Sequence, residues 1–249
     1  MAISGKEINR SYDEFGPIRI FDDGNKRYLS FGEHDEQSCW LKSGPLIPQH
    51  DYTRAMLQVL LFMEPKRCLT LGLGSGSLNS CMHHHLPELK QQVVELRPGV
   101  VDAAYKYFQL PRGNRLKVEI GDAFEFLQKP QPRKLDLILS DIYSAEGLDE
   151  QQLLPEFLSR TREILKSDGW LVLNCWREHQ TGDALQHLKS LYADVWSCTT
   201  NSGNWVLLAS RSSNHRSGKY LKNRARELGQ KMGFSFSASL NRLKYHSDS

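Results

Sequence analysis

Three carboxylates, Glu95, Asp122 and Asp141, each follow a short apolar run, and a glycine-rich turn precedes the first of them. In an open α/β sheet, ligands bind beyond the carboxyl ends of the strands, where such acids would stand. The turn, Gly72-Leu-Gly74-Ser75-Gly76-Ser77, follows Arg67-Cys-Leu-Thr-Leu71. Its glycines let the backbone bend sharply and approach a ligand where a Cβ would clash. The helix expected next directs its free N–H groups at the same spot. Glu95 lies nineteen positions beyond Gly76, near the distance at which a β-α-β unit sets a carboxylate on ribose hydroxyls. The stretch therefore reads as a nucleoside site. Asp122 and Ala123 are placed to meet the adenine edge, the carboxylate accepting from an exocyclic amine and a backbone N–H donating to a ring nitrogen. Asp122 also stands where a helix N-cap would. Asp141 ends the strand nearest the point where the sheet order should reverse, where the reacting group should lie and a carboxylate can accept a proton. Tyr52 and Tyr143 are candidates to line the pocket beside it. Tyr143 either makes an aromatic contact with the reacting group or serves as a lid with no chemical role.

The elements that must position these residues can be read in order. Residues 16–42 are β-rich: Ile18–Phe21 and Arg27–Phe31 flank the turn cluster Asp22-Asp-Gly-Asn25, and Ser38–Leu41 adds a third strand. Asp51 is placed to cap a helix running to about Met63, before Pro65. Strands and helices then alternate five times and finish in a hairpin, Val195–Thr200 and Trp205–Ser210 about Asn201-Ser-Gly-Asn204. That alternation demands a mostly parallel sheet with helices on both faces, the hairpin adding a reversed strand. The expected organisation is a small β-rich region over 1–48, an α/β nucleoside-binding domain over 49–211 and a basic helical extension over 212–249.

The hydrophobic share of 39% and mean hydropathy of −0.51 suit a soluble globular protein. No apolar run approaches membrane-span length, and the first residues hold no apolar signal core, so a cytoplasmic protein is expected. The five cysteines are scattered without a C-x-x-C pair, which indicates neither a zinc site nor a disulfide framework. Neighbouring His83, His84 and His85 point in different directions on a helix and chelate poorly, so no metal is expected. From Arg211 onward nine Lys/Arg face two Asp/Glu. A basic helix docked on an acidic body is the favoured reading of that asymmetry, with nucleic acid as the other. The stripe Leu221, Ala225, Leu228 and Met232 wants a surface to cover. An edge of the small N-terminal sheet could pair with a second copy.

Glycine spacing narrows the ligand. The dinucleotide fingerprint wants a glycine at offset five, which here is Ser77. The G-x-G-x-G form with a distal acid resembles motif I of class I S-adenosylmethionine-dependent methyltransferases, whose Rossmann-like fold has seven strands, one reversed. The run from Gly16 to Trp176 resembles, more narrowly, the spermidine synthase family of aminopropyltransferases. The points of contact are the N-terminal strands, the Tyr52 helix, Leu71 to Leu78, Val94-Glu-Leu96, Gly121-Asp-Ala123 and Leu137-Ile-Leu-Ser-Asp-Ile142. The resemblance implies that Glu95 holds ribose, that Asp141 is the general base on the attacking amine, and that Tyr52 orients the substrate. Where the family reads G-G-G-D-G-G, Ser75 replaces the acid that holds the ammonium of decarboxylated S-adenosylmethionine. Ser144 replaces the second acid of D-x-x-D, which holds the polyamine. Arg54 replaces the glutamate of Y-x-E, and Arg97 an aspartate after the ribose acid. Each change removes negative charge or adds positive charge. Ser75 and Arg54 would thus tolerate or attract the carboxylate of full S-adenosylmethionine. The expected activity is transfer of a methyl or other alkyl group from an S-adenosyl sulfonium to a small amine. The alternatives are aminopropyl transfer with replacement acids such as Glu146 or Asp149, and a non-catalytic nucleoside-binding module whose basic C-terminus meets a partner.

Overall fold

The computed structural model of the chain describes residues 5–32, 36–144, 147–148, 150–181 and 183–246. It opens with an antiparallel sheet of four strands in sequence order: β1 (Lys6–Asp13), β2 (Gly16–Asp23), β3 (Lys26–Ser30) and β4 (Glu36–Leu41). The last three are the strands expected from the sequence. β1 was not expected, because Ile8 and Tyr12 are its only large apolar residues. Backbone pairing with β2 along its length holds it instead, with Glu7 bridging Arg10 on its own strand and Arg19 on β2. Ile18, Ile20, Leu29, Phe31 and Trp40 form the inner face of this sheet and pack on Val100, Ala103 and Phe108. The small sheet thereby gains the apolar backing it needs to be stable.

The chain then forms α1 (Asp51–Met56), which tightens into a 3-10 turn over Leu57–Leu61. His50, not Asp51, is the N-cap residue. The expected cap is corrected: the Asp51 carboxylate reaches across to accept from the backbone N–H groups of Asn201 and Ser202 at 3.0 and 3.4 Å.

The main sheet contains β5 (Arg67–Leu71), β6 (Lys90–Glu95), β7 (Leu116–Ile120), β8 (Leu135–Ser140), β11 (Leu165–Trp176), β12 (Asp194–Thr199), β13 (Asn204–Ser210) and β14 (Leu243–His246). The short pair β9 (Tyr143–Ser144) and β10 (Gly147–Leu148) stands apart from it. The spatial order is β14-β12-β13-β11-β8-β5-β6-β7. Strands β7, β6, β5, β8 and β11 run parallel, and β13 is antiparallel to both neighbours. The order reverses between β5 and β8, where ligands of such sheets bind.

Helices cover both faces: α2 (Ser77–His85), α3 (Pro98–Tyr107), α4 (Ala123–Gln128), α5 (Pro155–Ile164), α6 (Ala184–Leu191), α7 (Gly218–Met232) and α8 (Ser237–Leu240). Side chains alternate along the strands between two cores, Cys68, Leu137, Leu139 and Val172 facing one and Leu69, Leu71, Ile138 and Leu171 the other. Leu221, Ala225, Leu228 and Met232 of α7 are buried in the first of these, so the basic helix is docked on the body. The chain then adds β14 to the edge, an eighth strand where the sequence implied seven. Tyr245 of β14 packs on Trp196, ring centroids 4.7 Å apart, and donates to Asp194 at 2.9 Å. Among the described residues no helix is long and apolar enough to cross a membrane.

Candidate active site

A cavity of about 570 Å³ lies between the carboxyl ends of β5, β6 and β8 and the N-terminal sheet. β5 delivers the chain into the glycine turn with Gly72, Gly74 and Gly76 all at positive φ. The reason for glycine is closer to home than a ligand. A Cβ on Gly72 would sit 2.2 Å from the Asp141 carbonyl oxygen, and one on Gly76 would sit 2.5 Å from Leu110 Cδ1. Glycine therefore lets the β5 and β8 loops close on each other. Gly72 and Gly74 line the cavity, whereas Gly76 and Ser75 do not. Ser75 is buried, its N–H donates to Ser38 Oγ of β4 at 3.2 Å, and its hydroxyl has no hydrogen-bond partner among the described residues. The Ser75 backbone thus ties the glycine turn to the N-terminal sheet. Ser77, Asn79 and Leu73 face the cavity instead.

Glu95 ends β6 buried on the cavity wall. Its two oxygens accept from Leu73 N–H at 2.8 Å and Arg97 N–H at 3.0 Å, which fixes the plane of the carboxylate. Each oxygen keeps a further lone pair, the capacity that two ribose hydroxyls require. Burial pushes its pKa up, and the backbone N–H groups of Arg97, Leu73 and Gly74, with the Arg97 charge, pull against that. The Arg97 guanidinium is directed elsewhere. It binds Asp13 through two hydrogen bonds of 3.0 and 2.8 Å, holds Gly16 O at 2.8 Å and lies over the Phe31 ring. A backbone contact thus links Glu95 to a residue that anchors the β1–β2 hairpin.

Asp122 caps α4, its Oδ1 accepting from Glu125 N–H at 2.8 Å, and with Ala123 it also lines the cavity. Asp141 follows β8 and accepts from Asn174 Nδ2 at 2.8 Å. Burial pushes its pKa up to about 6, while Asn174 and the Tyr52 hydroxyl act in the opposite direction. Tyr143 donates to Asn174 O at 3.3 Å and stands edge-on to Trp176, centroids 5.9 Å apart. His50 stacks on Tyr52, and its ring lies 3.7 Å from Glu36. Asp141, Tyr52 and Tyr143 are therefore brought to one cavity as the sequence suggested.

Arg54 is not among the lining residues. It donates to Pro48 O at 2.7 Å and sits 5.5 Å from the Phe234 ring, tying α1 to the C-terminal extension. The structure therefore does not bring Arg54 to the cavity with the other expected site residues. Ser144 is described in its backbone alone, and Glu146 and Asp149 lie outside the described residues. Sequence reasoning missed Asn174, Trp176, His50, Glu36 and Gln37, all on the cavity wall. Asn174 carries the signal that selected the acids, a polar residue closing an apolar strand. A search confined to carboxylates passes over it.

A family model described as the spermine/spermidine synthase domain matches residues 49–201. A polyamine aminopropyltransferase of Neisseria meningitidis serogroup B is 30% identical over 241 residues, covering 92% of this chain and 90% of its own. One from Vibrio vulnificus is 33% identical over 171 residues, 65% of this chain and 56% of its own, so the match spans little more than half of that relative. Among solved structures, a probable spermidine synthase from Corynebacterium glutamicum superposes with a TM-score of 0.78 at 18% identity, over 98% of this chain and 91% of its own. Human methyltransferase-like protein 13 in complex with SAH gives 0.67 at 21%, over 74% and 93%. These two likenesses establish the fold.

Proposed function

The chain belongs to the spermine/spermidine synthase family, and from that premise we propose that it transfers an alkyl group from the sulfonium of an S-adenosyl donor to the nitrogen of a small amine. The observation that carries the reading is the pairing, in one cavity, of a buried carboxylate suited to ribose with a second carboxylate whose pKa is raised to about 6. In it Glu95 accepts from the ribose hydroxyls, and Asp122 with Ala123 meets the adenine. Tyr52, Tyr143 and Trp176 wall the reacting end. At neutral pH Asp141 is ionised and takes the proton of the amine. The freed nitrogen lone pair forms the new C–N bond, and the C–S bond breaks with its electron pair, leaving a neutral thioether. Sulfonium is already a good leaving group, so alignment is the protein's main contribution.

One observation favours a second reading, aminopropyl transfer from a decarboxylated donor. Arg54, expected to meet a donor carboxylate, faces Pro48 and Phe234. Arg97 is the one Lys or Arg on the cavity wall among the described residues, and Asp13 engages it. Incubation with S-adenosylmethionine or its decarboxylated form and a panel of mono- and diamines, read by mass spectrometry, tests both readings. An alkylated amine with release of the matching thioether nucleoside is expected. Tight nucleoside binding without turnover of any amine would overturn the transferase assignment.

A further inference from the structure

Asn204, on the hairpin strand β13, makes no hydrogen bond to Asp141, yet a directed chain of amides connects them. Asn204 Nδ2 donates to Asn174 Oδ1 at 3.1 Å, and Asn174 Nδ2 donates to Asp141 Oδ1 at 2.8 Å. Both asparagines are buried on the cavity wall. A carboxylate only accepts, so Asn174 must turn its NH₂ toward Asp141, and its carbonyl is left to face Asn204. Asn204 meets that carbonyl with a donor. The hairpin fixes Asn204 in turn: its N–H donates to Thr200 Oγ1 at 3.1 Å, and Ser202 Oγ lies 3.0 Å from its Oδ1. Asn201 and Ser202 are themselves tied to Asp51 at the start of the helix that carries Tyr52.

We propose that Asn174 and Asn204 are positioning residues which lock the amide polarity at Asp141 and so set the ionisation of the proton acceptor. Asn174 also fixes its neighbours, since its backbone carbonyl accepts from Tyr143 at 3.3 Å and Gln152 at 3.4 Å. The titratable groups that face Asp141 are Tyr52 from α1, Tyr143 from the following segment and Cys175 from β11, all with pKa values pushed up by burial and hence neutral near pH 7. No Lys or Arg lies among these, so the amide is a principal stabiliser of the charged acid. The idea rests on the proposed role of Asp141, but its test needs no turnover.

The test is a ¹³C NMR titration of carboxyl-labelled aspartates in the full chain, with the Asp141 signal assigned by its loss in Asp141→Asn. Asn174→Leu removes the donor and should move the Asp141 midpoint up by about one pH unit. Asn204→Ala removes no atom bonded to Asp141 and should still raise it, by about half a unit. Thermal unfolding of each variant separates this from loss of fold. If Asn174→Leu fails to fold, Asn204→Ala decides alone. A midpoint in Asn204→Ala equal to that of the wild type overturns the relay and leaves the assignment of the reaction standing. A shifted midpoint in a protein that alkylates no amine supports the relay and removes the reaction.

Discussion

At the scale of single residues the decisive feature is a carboxylate kept out of water. Asp141 is held at a pKa of about 6 because burial disfavours its charge more than Asn174 and Tyr52 restore it. An unfolded aspartate titrates at about 3.9. Between about pH 4 and pH 6 the native state therefore holds a proton that the unfolded chain has released, and stability falls as pH rises through that window. Asp141→Asn should melt above the wild type at pH 7.5, with the difference shrinking to nothing below pH 4. The same substitution should lower turnover by about 10²-fold or more. Melting curves across pH check the first outcome and product analysis the second. A variant that melts lower than wild type at pH 7.5 contradicts the assigned environment.

At the scale of elements, each loop is shaped by its neighbour as much as by any ligand. Gly72→Ala would place a methyl 2.2 Å from a backbone oxygen at φ +86. Since neither backbone can yield cheaply, the variant should lose soluble expression or melt many degrees lower. Arg54→Ala removes a hydrogen bond to Pro48 and a cation–π contact with Phe234 of the C-terminal extension. It should cost about 1 kcal/mol, or roughly 2–4 °C in melting temperature, and leave nucleoside affinity unchanged by calorimetry. That outcome also marks the boundary of what was legible. β5, the glycine turn, Glu95 and Asp141 follow from period, spacing and the carboxyl-end rule, all of which are local. Where Arg54 and Ser75 point depends on Phe234 and Ser38, residues remote in sequence that no spacing relates. β1 was unreadable for a similar reason, because it is held by pairing with β2 and not by apolar alternation of its own, and β14 because its alternation is only Leu243 and Tyr245 long.

At the scale of the whole molecule, the cavity exists because two sheets meet. The N-terminal hairpin is joined through Asp13 to Arg97, and through the Arg97 N–H to Glu95. Ser38 joins β4 to the glycine turn. Arg97→Ala should loosen that junction and weaken nucleoside binding without exposing the main core, which lies on other elements. Leu228→Asp, in contrast, buries a charge beneath α7 and should destabilise the body by several kcal/mol, seen as a large drop in melting temperature. The role proposed for this junction is to cradle the adenosine half of a sulfonium donor, with Glu95 on the ribose. Titration calorimetry with 5′-methylthioadenosine tests it most directly, on wild type, Glu95→Gln and Arg54→Ala. One-to-one binding is expected, with a loss of about 10- to 100-fold in Glu95→Gln from the charged hydrogen bonds removed and no change in Arg54→Ala. Equal affinity in wild type and Glu95→Gln, or no binding by the wild type, would contradict it.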